Sequence, residues 1–105
     1  MQLESITEED TQVIRRLILA PGEHTVWHAD ACRRFTVVVR GERLGIEYQD
    51  GERIEFEVHA GMSGWDDPEA RVHRATNLGN SAYEEVVSFY RSGSGVDPQP
   101  AAGSV

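Results

Sequence analysis

Read for its alternation of apolar and polar positions, the chain is a series of short strands. Over Thr11 to Ala20, Val13, Arg15, Leu17 and Leu19 share one parity and Ile14, Arg16 and Ile18 the other. The run stops at Pro21-Gly22, a turn dipeptide. "HTVWHAD" brings Thr25, Val26 and Trp27, residue types that suit a pleated surface. "RFTVVVR", Arg34 to Arg40, is dense in β-branched residues and ends at Gly41. "RLGIEYQ" leads to the hairpin dipeptide Asp50-Gly51. "ERIEFEV" returns with Ile54, Phe56 and Val58 on one face and Arg53, Glu55 and Glu57 on the other, the pattern of a half-buried strand. After Gly61 come "MSGWDD", Pro68 and "RVHRATN"; Asn80-Ser81 marks another turn, and "YEEVVSFYR" closes the series. About eight short strands, with turn signals roughly every 8–12 residues, predict an all-β antiparallel sandwich or barrel. Residues 92–105 hold almost nothing to bury and read as a disordered tail behind one domain over 1–91.

Composition narrows the chemistry. A net charge of −8 over 105 residues argues against nucleic acid, whose phosphates demand concentrated positive charge, and against an anionic membrane surface. The N-terminal "MQLESITEED" lacks the apolar stretch of a signal peptide, and no run approaches bilayer length. The single cysteine, Cys32, cannot form an intrachain disulfide, so the expected location is cytoplasmic. All 10 basic residues are arginine. Without lysine, Schiff-base chemistry, conventional pyridoxal phosphate catalysis and a P-loop are excluded. "GMSGW" is not Gly-x-Ser-x-Gly, so a hydrolase nucleophile elbow is absent too.

In "GEHTVWHADACRRFTVVVRG", His28 and Asp30 stand two apart, so in a strand they share a face and can both point into a barrel lumen. A third donor must come from another strand, and His73 in "ARVHRATN" is the candidate. Two imidazoles and one carboxylate form a set used for open-sided iron(II) sites and tolerated by zinc, manganese, copper and nickel.

From Val13 to Tyr90 the chain resembles the cupins. Their first motif runs Gly, five residues, His-x-His, three or four residues, Glu, six residues, Gly. Here Gly22, five residues, His28-x-Asp30, three residues, Arg34, six residues and Gly41 keep every interval. Their second motif runs Gly, five residues, Pro-x-Gly, two residues, His, three residues, Asn. Here Gly61, six residues, Pro68-x-Ala70, two residues, His73, three residues and Asn77 match with one insertion and one Gly-to-Ala change. The resemblance implies an antiparallel double-stranded β-helix, or jelly-roll barrel, of the small bacterial single-domain kind. It also implies a metal-dependent enzyme of dioxygenase or isomerase type acting on a small molecule, and a homodimer.

The departures matter as much. Asp30 stands in the place of the second motif histidine, and Arg34 in the place of the glutamate. A guanidinium has no lone pair to offer a metal and stays protonated. Two readings follow. In one, Asp30 supplies the missing carboxylate, and His28, Asp30 and His73 hold a divalent transition metal (Fe, Zn, Mn, Ni or Cu). In the other, Arg34 turns into the lumen, pairs with Asp30 and repels an incoming divalent ion. The lumen is then a metal-free pocket for a small anion or sugar, held by Arg34 with Arg71 as a second candidate, or a relic within a regulatory or structural partner domain.

Other residues have two readings each. Trp65 and Trp27 are candidate pocket walls, Trp65 grouped with Arg34 in the ligand pocket; core or subunit contact is the alternative for both, and for Tyr48 and Tyr90. His24 shares the parity of His28 and is a substitute ligand if the strand is regular that far; otherwise it is solvated. His59, on a turn, is expected at the surface. Cys32 lies beside Arg33 and Arg34, which can lower a thiol pKa, although a lone cysteine is commonly inert. Parity does not decide whether Glu84 or Glu85 faces inward, since Val86 and Val87 are both apolar. Thr36 and Val38 share the face of Arg34. Phe35, Val37 and Val39 cover the opposite face, to be buried in a homodimer or under a second sheet of the same chain.

Overall fold

The computed structural model describes residues 1–91; the segment read as a disordered tail, 92–105, lies outside the described residues. Among the described residues nine strands form where alternation is interrupted by turns: β1 (Gln2–Glu8), β2 (Gln12–Leu19), β3 (His28–Asp30), β4 (Arg33–Arg40), β5 (Arg43–Tyr48), β6 (Arg53–Glu57), β7 (Ser63–Asp66), β8 (Glu69–Asn77) and β9 (Tyr83–Tyr90). They build a five-stranded sheet in the order β1-β2-β9-β4-β7 and a four-stranded sheet in the order β3-β8-β5-β6. Every pairing is antiparallel. From β2 onward the chain passes back and forth between the sheets, the winding of a double-stranded β-helix. The all-β antiparallel expectation holds.

Three local differences have physical causes. The alternation did not reveal β1 because it is an edge strand: only Leu3 of its residues is half-buried. Main-chain pairing with β2 holds it, and Glu4 and Glu8 place charge along the open edge. "HTVWHAD" pairs as a strand over His28–Asp30 only. A lone bridge at His24 and a bond from Thr25 N–H to the Ala75 carbonyl extend the contact, while Val26 and Trp27 leave the ladder. Burial along "ERIEFEV" is graded rather than even: Ile54 is 47% exposed and Val58 only 6%, because β6 is an outer strand whose far end tucks under the barrel.

The two sheets close on Leu17, Leu19, Val38, Leu44, Val58 and Tyr83. A second apolar cluster joins Val13, Val87, Phe89 and Cys32. Full burial of each large side chain there is worth about 1.5–3 kcal/mol. Cys32 is thus a packed residue and not a surface thiol. Asn77 is a strut: its Nδ2 donates to the Leu19 and Ser81 carbonyls at 2.9 Å each, and its Oδ1 accepts from Gly79 N–H at 2.9 Å. Those bonds satisfy a buried amide and tie the β8–β9 loop to β2.

Candidate metal and ligand site

Pairing of β3 with β8 sets His28 directly opposite His73, and Asp30 opposite Glu69. Two steps along β3 therefore match four along β8, a bulge that pulls the chain inward at this point. His28, Asp30 and His73 are all buried, Asp30 to 2% exposure. The imidazole centroids lie 4.7 Å apart. One ligand atom from each of the three residues falls within 4.8 Å of the others.

The tautomers follow from the hydrogen bonds. His28 Nδ1 lies 2.7 Å from the Val26 carbonyl and His73 Nδ1 lies 2.8 Å from the Arg71 carbonyl. A carbonyl only accepts, so both Nδ1 atoms carry protons; a neutral ring then presents a lone pair at Nε2, whereas His73, whose Nε2 hydrogen-bonds the Asp30 carboxylate, carries a proton there as well. Those Nε2 atoms face Asp30, at 3.6 Å from Oδ1 for His28 and 3.0 Å from Oδ2 for His73. The hydrogen bond to Asp30 raises the His73 pKa against the opposing effect of burial. Burial lowers that of His28. Burial alone would push the Asp30 carboxyl up, but the His73 hydrogen bond and the nearby charge of Arg34 outweigh it and hold the group below the usual range.

Arg34 reaches the same wall. Its Nη1 lies 3.2 Å from Asp30 Oδ2, and its Nη2 lies 4.0 Å from Asp66 Oδ2. Nη1 is buried without a well-aligned hydrogen-bond acceptor, so the contact with Asp30 is one of charge more than of directed bonding. Arg34, Thr36 and Val38 all line the lumen, as their shared parity indicated.

The lumen is a cavity of about 320 Å³, within the size range of small-molecule sites. Its polar wall holds His28, Asp30, His73, Arg34, Asp66 and Glu85; Leu44, Ile46, Phe56 and Met62 are among its apolar lining. Asp66 had not been singled out from sequence, and of Glu84 and Glu85, between which parity did not decide, Glu85 is the one that lines the lumen. The signal for Glu85 was its shared parity with Tyr83, Val87 and Phe89, all of which turn out to be buried.

Arg71, the second inward candidate of the metal-free reading, does not face the lumen. In a regular strand it would share the parity of His73, but it falls within the bulge and turns out. Its guanidinium stacks on Tyr48 at 3.9 Å and pairs with Glu52 at 2.9 Å. Trp65 borders the cavity mouth, but its ring packs on the outer side of the first sheet, 5.0 Å from Phe35 and 5.5 Å from Tyr90, under the Arg33 guanidinium at 4.1 Å. Trp27 packs beneath Arg74. His24 and His59 are exposed, and the ring Nδ1 of each lies against a nearby carbonyl, that of Thr25 and of Ala60.

No family profile matches the chain, and no curated protein matches it by sequence. Solved structures match it by fold. A cupin domain from Bordetella pertussis superposes with a TM-score of 0.77 at 18% identity, covering 87% of this chain and 93% of that one. An RmlC-like cupin family protein with a double-stranded β-helix fold, from Methanocaldococcus jannaschii, gives 0.69 at 14% identity, covering 86% and 79%.

The chain has a cupin fold.

An oxalate oxidase in complex with the substrate analogue glycolate also superposes, with a TM-score of 0.66 at 20% identity, covering 92% of this chain and 54% of that one. Within the cupin fold, the first motif falls on β3 and β4 and the second ends on β8. The intervals read from sequence therefore correspond to strands that meet across one lumen.

Proposed function

We propose that this chain is a small cupin protein that holds a divalent transition metal on His28, Asp30 and His73 and acts on a small anionic molecule in the lumen. The observation that carries the reading is the convergence of two Nε2 atoms and one carboxylate within 4.8 Å, with both Nδ1–H groups committed to main-chain carbonyls. Without metal, the Arg34 guanidinium and the proton that His73 Nε2 donates to Asp30 balance the carboxylate; a divalent ion would take the place of that proton and draw on all three donors. Two nitrogens and one oxygen suit iron(II), zinc, manganese, nickel or copper, and the carbonyl acceptors behind the rings fix them in the ligating orientation. When bound, the metal supplies Lewis acidity and open coordination positions, the basis for dioxygenase-like or isomerase-like chemistry. Arg34 offers a planar fork for a carboxylate or similar anion, steadied from the mouth by Asp66. The apolar walls keep water from the ligand.

The proposal includes a cytoplasmic location and a homodimer joined through the outer face of the five-stranded sheet. Val39, Trp65 and Tyr90 are 41%, 50% and 41% exposed there, an apolar surface of the kind that contacts cover.

The 3.2 Å contact between Arg34 and Asp30 favours a second reading, in which that pair is permanent and the lumen binds a small anion or sugar without metal. The two readings separate by elemental mass spectrometry on purified protein loaded in parallel with iron(II), zinc, manganese, nickel and copper, beside His73→Ala. Near-stoichiometric metal in the parent and its loss in the variant support the metal reading. No metal in either removes it. Thermal stabilisation by small anions in metal-free protein then supports the second reading, since a ligand that binds only the native state raises stability.

A further inference from the structure

Glu85 stands on the inner face of β9, opposite Leu17 of β2 and Val38 of β4, both buried. Its carboxyl lines the lumen. Among the described residues its hydrogen-bond partner is the Tyr83 hydroxyl, which donates to Oε1 at 2.6 Å. The other two acids of the cavity wall, Asp30 and Asp66, both face Arg34; Glu85 has no cation within ion-pair distance among the described residues. A carboxyl flanked by apolar side chains, here Leu17 and Val38, with no cation paired to it is disfavoured as an anion. Burial holds the Glu85 pKa above its ordinary range; the charges of Asp30 and Asp66 add to the rise, and the Tyr83 hydrogen bond and the charge of Arg34 oppose it.

Tyr83 is held firmly. A Cβ at Gly41 would come within 2.7 Å of its ring, so the motif glycine is what lets the ring lie there. Burial, with Glu85 beside it, pushes the phenol pKa up, so it stays a donor. Arg34 pairs opposite Phe89, four residues along β9 from Glu85, a Cα separation of about 13 Å at the usual strand rise. The lumen thus has a charged end, where Arg34 faces Asp30 and Asp66, and a hydrogen-bonding end at Glu85, with apolar walls alongside.

We infer that Glu85 is the hydrogen-bond donor of the lumen, that Tyr83 positions it, and that the ligand is a short-chain carboxylate bearing an oxygen acceptor at the end remote from its carboxylate. The carboxylate lies at Arg34, the carbon chain along the apolar wall, and the distal oxygen accepts from the Glu85 carboxylic acid. A site with a half-buried donor facing the ligand disfavours analogues that lack the oxygen, because the donor is then left without its partner. The inference rests on the lumen as the ligand site and is independent of the metal.

The test is calorimetric titration of 4-oxopentanoate and pentanoate into metal-free and metal-loaded protein, for the parent, Glu85→Gln and Glu85→Leu. The keto oxygen only accepts, so any preference for it requires a donor. The parent is expected to bind the oxo acid about tenfold more tightly, equivalent to about 1.4 kcal/mol. Glu85→Gln, whose amide also donates, keeps the preference, and Glu85→Leu loses it. Infrared difference spectra at neutral pH are expected to show a protonated carboxylic acid C=O band that is absent from Glu85→Gln and shifted in Tyr83→Phe, which loses the bond to Oε1. The donor assignment is overturned by a missing band, by equal binding of the two acids, or by a preference that survives in Glu85→Leu. Binding of neither acid overturns the ligand class. A normal preference in protein that takes up no metal leaves this inference standing and removes the metal reading alone.

Discussion

The two faces of β9 place adjacent glutamates in opposite settings. Glu84 points out and is met by arginines from both neighbouring strands, Arg16 Nη1 at 2.5 Å and Arg40 Nε at 2.9 Å. The hydrogen bond from Arg16 is the main reason its carboxyl sits below the usual range, against the effect of burial. Glu85 points in, meets a phenol and apolar side chains, and sits above that range. Residue type and element are the same, and the sign is set by what the neighbouring strands present. A carboxylate given cations becomes a tie between strands. One denied them becomes a poorly stabilised group whose persistence calls for a chemical reason, since exchange for a neutral residue relieves the cost.

Changes at paired acids should therefore destabilise, and a change at the unpaired acid should not. The largest effect is expected at Asp30, the paired acid of the lumen. Asp30→Asn removes the countercharge of Arg34 and the charged acceptor of His73, and should cost about 3 kcal/mol, read as a lower denaturant midpoint. A smaller loss, at most about 1 kcal/mol, is expected for Glu84→Gln, because Arg16 and Arg40 are partly exposed and their pairing is screened. The Glu84 pKa is depressed below its ordinary 4.5, so its contribution is present above that pH and fades as pH falls through the folded value. Parent and Glu84→Gln should converge in acid. The smallest effect, and the one of opposite sign, is expected for Glu85→Gln, which should raise Tm while keeping the bond from Tyr83. The folded pKa of Glu85 is raised, so between the ordinary 4.5 and that higher value the folded chain binds more protons than the unfolded one, and parental stability falls as pH rises. The gain from Glu85→Gln should therefore widen from acid towards neutral pH. A loss like that of Glu84→Gln would break the contrast between the two faces.

Strands with one buried face were legible in the alternation. β2, β4 and β9 each bury part of one parity, and the Asp50-Gly51 hairpin joins β5 and β6 where it was read. The edge strand β1 was not legible, because its pairing is through main-chain atoms and leaves no apolar imprint. Spacing brought His28, Asp30 and His73 together correctly as neighbours, since period-two geometry and motif intervals carry that information. Arg71, offered as a second inward arginine only in the metal-free reading, turns outward because it falls in the bulge between β3 and β8. The choice between Glu84 and Glu85 was hidden by Val86, an apolar residue on the outer face opposite Val37. An outer face that is itself apolar erases the contrast from which inside and outside are read.

The central claim is that a metal sits among His28, Asp30 and His73 despite Arg34. Its most direct test is anomalous diffraction, collected at the absorption edge of the bound element from crystals of the metal-loaded protein. The account predicts one strong peak bounded by the Nε2 atoms of His28 and His73 and the Asp30 carboxylate. No peak there, with the Arg34 guanidinium seated on Asp30, would contradict it.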